Sequence, residues 1–283
     1  MTSVRRRTRS ERRSILLTAL AVVVAALFIL PALWLLSGSL RPSNEIFGTL
    51  SPVTWRTLVP SEVSLGNYLA LLSGPFGRSI LISFAVCFLT VAIGLVVSAL
   101  AAYALSVLRF RGRGAVFAFV VISFMVPFEA IAIPLSQLFS GWGLTNTLLG
   151  LVLPGIGNGL AIFNLRQHFL SIPTSYREAA TVDGAAEPRV LWSVYLPLGG
   201  AALANSALLI FLGQWSAYLW PLLVVSDSSL QVAPVALART FGEYTFDFGQ
   251  NFAGAIVLSV VPALMMFVLQ RFFGGLEIAS GEK

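Results

Sequence analysis

The sequence predicts an all-α polytopic membrane protein with six transmembrane helices and with both termini in the cytoplasm. Three observations lead to this prediction: a strongly apolar composition, about six apolar runs long enough to cross a bilayer, and an uneven distribution of basic residues between the loops. Of the 283 residues, 57% are hydrophobic and 11% are charged, whereas an average soluble domain is about 25% charged. A chain this apolar is neither a typical soluble domain nor a disordered one.

The scarcity of three residue types excludes several classes of function. Cys87 is the only cysteine and His168 the only histidine, so a disulfide scaffold or a Cys/His zinc site cannot be built. The only lysine is Lys283, and a GxxxxGK[ST] phosphate loop needs a lysine inside the chain. No nucleophile–base set or carboxylate pair indicates chemistry on a substrate. We therefore predict no metal site, no catalytic residues and no enzyme activity in this chain.

The six apolar runs are the candidate spans, because a helix needs about 20 residues to cross a bilayer. The runs lie near residues 15–38, 79–107, 115–139, 148–165, 198–225 and 252–270. The first run follows a basic tail, as the core of a secretory signal peptide would. Such a core has only about 7–15 residues, and the run from Ile15 to Leu36 is longer. We therefore expect the first run to remain attached as a span.

The basic residues predict the orientation of the spans. With the N terminus inside, only four of the 18 Lys and Arg residues fall outside: Arg41, Arg56, Arg78 and Arg239. Because Lys and Arg concentrate in cytoplasmic loops, the asymmetry favours cytoplasmic N and C termini. The basic N-terminal tail is then expected to contact anionic membrane lipid. Binding of nucleic acid is the less favoured interpretation of such a tail.

This orientation divides the chain into tails, a six-span domain and loops. The predicted parts are a cytoplasmic basic tail (1–14), the six-span domain (15–270), external loops (39–78 and 226–250), an internal loop (166–197) and a cytoplasmic C-terminal tail (271–283). The first external loop contains several prolines and is expected to be irregular. The internal loop, between spans four and five, is longer than a simple connection requires. We therefore predict that it is a docking element.

The internal loop has the sequence signals of two short helices at a bend. Ser175 and Glu178 have the spacing of a capping box at a helix start. Gly184 is able to take a positive φ and so to end this helix. Pro188 fits the first turn of a second helix, and Pro197 is expected to mark the beginning of the fifth span.

The same loop carries a spaced motif, Glu178-Ala179-Ala180, then three residues, Gly184, nine residues, and Val194-x-Leu196-Pro197. This resembles the EAA loop of ABC importer permeases, EAA-x3-G-x9-I-x-LP, with valine in place of isoleucine. Further segments resemble the carbohydrate-uptake branch, whose type member is the smaller maltose permease subunit. These segments are Phe169-x-x-Ile172-Pro173, Asp183-Gly184-Ala185, Gln214-Trp215-x3-Leu219-Trp220-Pro221-Leu222, Gly66-Asn67-Tyr68 and Gly274-Gly275-Leu276.

The resemblance implies that the internal loop inserts into a cleft on a separate ATPase subunit. The coupling residues it implies are Glu178, Ala179, Ala180, Asp183, Gly184 and Pro197. Alanines allow close approach to a partner, and a glutamate offers a carboxylate to a partner's arginine. The alternative for Glu178 is that it only caps its own helix.

The resemblance also implies partners. These are a second permease subunit, two ABC ATPase subunits and an extracytoplasmic solute-binding protein that contacts the external loops. No cofactor is expected on this chain, because ATP and magnesium would bind to the ATPase subunits. By the same resemblance, the tail 274–283 is expected to touch the ATPases.

Polar side chains inside the predicted spans are candidates for a translocation path, because such groups usually face a cavity or the protein interior. The candidates are Glu129, Asn158, Ser206, Gln214, Trp215 and Tyr218. Glu129 has the alternative of a protonated or partnered structural carboxyl. For Tyr218, and for the nearby Trp220, the alternative is the ordinary aromatic belt at the membrane interface. The glycines and proline around Asn158 predict a broken or closely packed helix.

Together these features predict a permease subunit of an ATP-driven importer of a sugar, in the cytoplasmic membrane of a bacterium or archaeon. One alternative cargo is glycerol phosphate or a glycerol phosphodiester, since that branch shares these motifs. An alternative from a different class is a stand-alone secondary transporter with Glu129 as its proton carrier.

Overall fold

The computed structural model describes residues 4–48, 55–60, 62–240 and 247–273. Every regular element among them is helical, which confirms the predicted all-α class. The α-helices are α1 (Val4–Ser39), α2 (Ser43–Ile46), α3 (Gly66–Ser73), α4 (Pro75–Ser106), α5 (Arg113–Met125), α6 (Phe128–Gly141), α7 (Leu148–Ile156), α8 (Gly159–Ser171), α9 (Thr174–Val182), α10 (Glu187–Val190), α11 (Leu196–Leu198), α12 (Gly200–Trp215), α13 (Leu219–Val224), α14 (Ala233–Thr240) and α15 (Phe248–Phe273). Short 3₁₀ turns cover Trp55–Thr57 and Ser228–Leu230, and a π-helical turn covers Leu191–Tyr195.

Four helical segments of the described chain are long and apolar enough to cross a membrane. They are Ser14–Ser39, Pro75–Ser106, Leu148–Ser171 and Phe248–Arg271. Two further pairs of helices meet this criterion only together: α5 with α6, bent by 97°, and Glu187–Leu198 with α12, bent by 84°. The described residues therefore contain four candidate spans, or up to six if each bent pair is one span.

The third and fifth apolar runs are not the single helices that their length predicted. The third breaks at Val126, which is extended as residues before proline tend to be, and α6 begins after Pro127. The fifth breaks between Trp215 and Leu219. Pro221 follows this second break, and since it has no N–H it cannot continue the hydrogen-bond ladder of α12.

The chain forms two compact units, Met1–Gly74 with Thr240–Val257, and Pro75–Arg239 with Leu258–Lys283. In the first unit, the described residues that follow α1 are more helical than the prolines of this segment predicted. They include α2, a 3₁₀ turn and α3. The amide of Asn67 on α3 donates to the carbonyl oxygens of Ser39 and Arg41, at 2.8 and 2.7 Å. These bonds tie α3 to the end of α1.

In the second unit, α4 packs against α7, α8 and α12. Small residues permit this contact: a Cβ on Gly94 would lie 3.3 Å from the carbonyl oxygen of Ile156. Gly155 is tighter still, since a Cβ there would lie 2.6 Å from both Thr90 Cγ2 and Gln214 Oε1. The break between α7 and α8, next to Asn158, agrees with the broken and closely packed helix predicted for this run.

We expect Gly155→Ala to lower the melting temperature of the purified protein in detergent by a few degrees. Thr90 is fully buried, and overpacking of such a site costs about 1–3 kcal/mol. Gly114→Ala is the matched control, because nothing lies within 4 Å of a Cβ on Gly114. Equal melting temperatures for the two variants, measured by a fluorescence thermal scan, would contradict the close approach of α4, α7 and α12.

Candidate functional site

The candidate coupling segment is a helical elbow formed by residues 172–199. Its first helix, α9, begins at Thr174 with Pro173 as the capping residue and has no side-chain capping hydrogen bond. The predicted capping box of Ser175 and Glu178 is therefore wrong, because α9 begins two positions before the start that a Ser175 cap requires. The alternative that Glu178 only caps its own helix is wrong for the same reason.

Gly184 ends the first helix of the elbow, as its position in the sequence predicted. Its φ is +78°, in the left-handed region that favours glycine. The turn is closed by two backbone hydrogen bonds, from Gly184 N–H to the Thr181 oxygen at 3.0 Å and from Ala185 N–H to the Ala180 oxygen at 2.9 Å. The residue types in this turn therefore set the direction in which the chain leaves α9.

The second half of the elbow leads into α12. Pro188 lies in the first turn of α10, as predicted, and a π-helical turn separates α10 from α11. Pro197 lies within α11, and the sharp bend follows at Gly199 rather than at Pro197. A Cβ on Gly199 would lie 2.8 Å from the carbonyl oxygen of Tyr195, so the bend requires a glycine.

A polar cluster, which we call the clamp, joins the elbow to α4. It consists of Arg177 on α9, Glu187 on α10 and Tyr103 on α4. The Arg177 guanidinium and the Tyr103 hydroxyl both donate to the carboxylate of Glu187. The hydrogen bond to Glu187 raises the pKa of Arg177 above its ordinary value. The side chains of Arg177 and Glu187 are 35% and 42% exposed, so solvent screens their attraction.

Beneath the elbow lies an apolar cluster of buried residues. Tyr195 contacts Tyr103 and Phe169 edge-to-face, with ring centroids 5.1 and 5.5 Å apart. Val190 and Leu191 of the elbow are buried in the same cluster. Burial of such side chains stabilises a structure by about 1.5–3 kcal/mol each. The apolar cluster therefore supplies most of the attachment, and the clamp orients it.

The opposite side of α9 is exposed. Glu178, Ala179, Asp183 and Gly184 are all exposed, and Val182 is 87% exposed. The carboxylate of Glu178 has no hydrogen bond or ion pair with any described residue. Ala180 is partly buried and packs against the apolar cluster. The elbow therefore presents an exposed face with two carboxylates, Glu178 and Asp183, beside Ala179 and the apolar Val182. Its other face packs against the helices of its unit.

A cavity of about 310 Å³ lies at the break between α7 and α8. Asn158 and Gln214, two of the six predicted path residues, line it. The Asn158 side chain also accepts a hydrogen bond from Ala161 N–H at 2.9 Å and so caps α8. Phe128 and Trp220 supply aromatic surface to the cavity. The amides and rings could together bind a hydroxylated molecule.

The other four path candidates do not line this cavity. Ser206 is buried and accepts a hydrogen bond from the Asn164 amide at 2.8 Å. Trp215 is buried against Phe211 and donates to the carbonyl oxygen of Leu258 at 3.0 Å. Both side chains therefore hold helices together. Glu129 and Tyr218 are exposed.

Tyr218 does not share a helical face with Ser206 and Gln214, because α12 ends at Trp215 and helical periodicity does not continue beyond it. Trp220 lines the cavity although it is not among the predicted path residues. In the structure Trp220 is 4% exposed and donates to the carbonyl oxygen of Gly150 at 2.9 Å. The Trp220-Pro221 pair is the feature of the sequence that could have indicated this position.

Several curated proteins are similar to this chain over most of its length. The arabinooligosaccharides transport system permease protein AraQ of Halalkalibacterium halodurans is 33% identical over 94% of this chain and 95% of its own. The lactose transport system permease protein LacG of Rhizobium radiobacter is 30% identical over 89% and 90%. The sn-glycerol-3-phosphate transport system permease protein UgpE of Yersinia pestis is 33% identical over 71% and 72%.

Two solved structures of bacterial transporters also contain chains that are similar to this one. A chain of a bacterial ABC transporter involved in the import of the acidic polysaccharide alginate superposes with a TM-score of 0.81 at 25% identity, over 94% of this chain and 98% of that one. A chain of the alginate transporter in complex with an alginate pentasaccharide-bound periplasmic protein has a TM-score of 0.65 at 16% identity, over 92% and 94%, which shows likeness of fold.

The family model described as "binding-protein-dependent transport system inner membrane component" matches residues 94–277, which include the elbow, the clamp residue Tyr103 and the cavity. That match covers more than half of the chain, and the resemblance found in the sequence is confirmed. The chain belongs to the family of binding-protein-dependent transport system inner membrane components, and is a multi-pass membrane subunit of an ABC importer rather than an enzyme.

Proposed function

We propose that this chain is one of two permease subunits that form the translocation pathway of an ATP-driven sugar importer. The single observation that carries the proposal is the two-sided elbow. One face of α9 is exposed and carries the carboxylates of Glu178 and Asp183, and the other is fixed to α4 through the clamp and the apolar cluster. Such an element is suited to receive a push from a partner and pass it to membrane helices.

The partners that we propose are a second permease subunit, two ABC ATPase subunits and an extracytoplasmic solute-binding protein. ATP and magnesium would bind to the ATPases, since this chain has no phosphate-loop lysine. The family's description supports the binding protein. The external segments 39–78 and 226–250 are the surfaces that we assign to it. The tail 274–283, which we expect to touch the ATPases, lies outside the described residues.

We infer six spans with cytoplasmic N and C termini, each bent pair of helices counting as one span. The distribution of Lys and Arg supports this orientation, because it leaves only four of the 18 outside. In this orientation the elbow would lie on the cytoplasmic side, where the ATPases would be.

In the mechanism that we propose, closure of the ATPases moves α9 through Glu178, Ala179 and Asp183. The turn at Gly184 and the clamp carry this movement to α4, and the bend at Gly199 carries it to α12. Because α4 and α12 pack against α7, their displacement changes the cavity at Asn158 and Gln214. Alternation between inward- and outward-facing states follows from this two-state coupling.

A neutral sugar fits the cavity better than a phosphate does. Its lining contains two side-chain amides and two aromatic rings but no Lys or Arg, and sugars bind through hydroxyl-directed amides and aromatic faces. The names of AraQ and LacG support a sugar. A glycerol phosphate is the second candidate, since UgpE is similar to this chain. The secondary-transporter alternative is excluded by the family assignment.

Uptake by the assembled transporter in proteoliposomes would separate the two candidate cargoes. We expect accumulation of a radiolabelled oligosaccharide that the cognate binding protein retains, and none of labelled sn-glycerol-3-phosphate. Gln214→Ala is expected to raise KM for that sugar. Phosphate-ester uptake without sugar uptake would favour the second candidate.

Reversal of charge on the exposed face should uncouple the transporter. We expect Glu178→Lys to reduce uptake at least about tenfold, because juxtaposed like charges cost several kcal/mol at an interface. Membrane insertion and basal ATP hydrolysis should persist. Glu11→Lys makes the same charge change outside the elbow and should transport normally.

The turn is tested by a second pair of variants. Gly184→Pro cannot adopt φ +78° and should abolish uptake, whereas Gly184→Asn tolerates this region and should retain most of it. Normal substrate-stimulated transport by both Glu178→Lys and Gly184→Pro would refute the docking role.

The clamp predicts non-additive effects. Glu187→Gln and Arg177→Gln should each lower the ratio of substrate-stimulated to basal ATP hydrolysis by about two- to fivefold, the range for a partly exposed ion pair. The double variant should be no worse than the worse single one, because both changes remove the same pair. Additive losses would show that the two side chains act separately.

A further inference from the structure

The turn between α4 and α5 carries a concentrated positive charge. Arg109, Arg111 and Arg113 lie within five residues of one another, and together with Phe110 they line an open cavity of about 390 Å³. The lining contains no carboxylate. The mechanism proposed above does not use this turn.

Two arginines are committed to the structure of the turn. The Arg113 guanidinium donates to the carbonyl oxygens of Ser106 and Leu108, both at 3.2 Å. Arg166 donates to the carbonyl oxygen of Leu105 at 3.0 Å and lies 3.7 Å from the centroid of the Phe117 ring. These bonds satisfy carbonyl groups at the end of α4 and hold the turn in a defined shape.

The other two arginines are available to a ligand. Arg109 and Arg111 are exposed, and neither makes a hydrogen bond or an ion pair with the described residues. Two free guanidinium groups beside a fixed third one attract an anion with several oxygen atoms, because each guanidinium can donate two parallel hydrogen bonds.

The position of the turn indicates where this anion comes from. Phe110 lies between Arg109 and Arg111 and is 45% exposed. An aromatic ring is stabilised by an apolar environment more than by contact with water. The helices that meet at the turn expose apolar side chains, with Leu100 on α4 50% exposed and Phe119 on α5 74% exposed. A basic turn that joins two helices with exposed apolar sides is typical of the headgroup region, where such helices leave a bilayer.

We propose that this turn binds the headgroup of an anionic phospholipid, with Arg109 and Arg111 on its phosphodiester and Phe110 between the glycerol and acyl regions. Basic clusters beside membrane helices commonly bind anionic headgroups in this way. The proposed orientation assigns the site to the cytoplasmic leaflet, but binding itself does not depend on that assignment or on transport.

Native mass spectrometry of the complete transporter in detergent tests the site. Titration with phosphatidylglycerol should show preferential retention over phosphatidylcholine. Arg109→Gln with Arg111→Gln should weaken phosphatidylglycerol binding at this site by roughly 20- to 30-fold, since each arginine near a membrane surface contributes about a factor of five. Both side chains are exposed and unbonded, so the variant should fold normally.

The matched control changes the same charge elsewhere: Arg78→Gln with Arg239→Gln, both exposed, should leave phosphatidylglycerol binding unchanged. Unchanged binding in the Arg109/Arg111 variant would overturn the proposal. So would full displacement of the lipid by millimolar inorganic phosphate, which would indicate a simple anion site. Loss of an ATPase subunit from that variant, with lipid binding intact, would indicate a protein contact instead. Failure of any transport assay would leave this result unaffected.

Discussion

The structure around the elbow depends on one interaction, the acceptance by Glu187 of hydrogen bonds from Arg177 and Tyr103. These residues lie on α10, α9 and α4, so one carboxylate orients both halves of the elbow against a candidate span. Its energy is modest because solvent reaches both partners of the ion pair. The apolar cluster of Tyr195, Phe169 and their neighbours supplies the attachment. The polar bonds orient the two short helices relative to α4.

The apolar helices are interrupted at the places where polar groups gather. The α7–α8 break next to Asn158, the bend after Pro127 and the break between Trp215 and Leu219 all occur in apolar runs. Non-helical backbone at such depth is tolerated where it lines a cavity or is buried in protein. All three breaks contribute lining residues to the cavity: Asn158 at the first, Phe128 at the second, and Ala217 with Trp220 at the third. The elbow and the cavity are connected through helices whose close packing leaves little room for independent movement.

Much of this arrangement could be predicted from the sequence, and what could not has identifiable causes. Composition is enough to predict an all-α membrane protein, and Gly184 and Pro188 are specific enough to locate the turn and the second short helix. The clamp could not be predicted, because Tyr103 and Glu187 are separated by 84 residues and only the tertiary structure brings them together. Trp215 was predicted to lie on the path because it is next to Gln214 in the sequence, but its indole packs against Phe211 and donates to Leu258. Trp220, beyond the break, lines the cavity instead.

The central claim is that the exposed face of α9 contacts an ATPase subunit, and site-specific cross-linking tests it most directly. With the single cysteine replaced (Cys87→Ala) and a cysteine introduced by Ala179→Cys, inner-membrane vesicles would be labelled with a photoactivatable maleimide and illuminated. The account predicts one major protein adduct, with an ABC ATPase subunit, whose yield changes when a non-hydrolysable ATP analogue is added. Adducts with lipid alone, or an ATPase adduct equally abundant from a probe at Glu11→Cys, would contradict it.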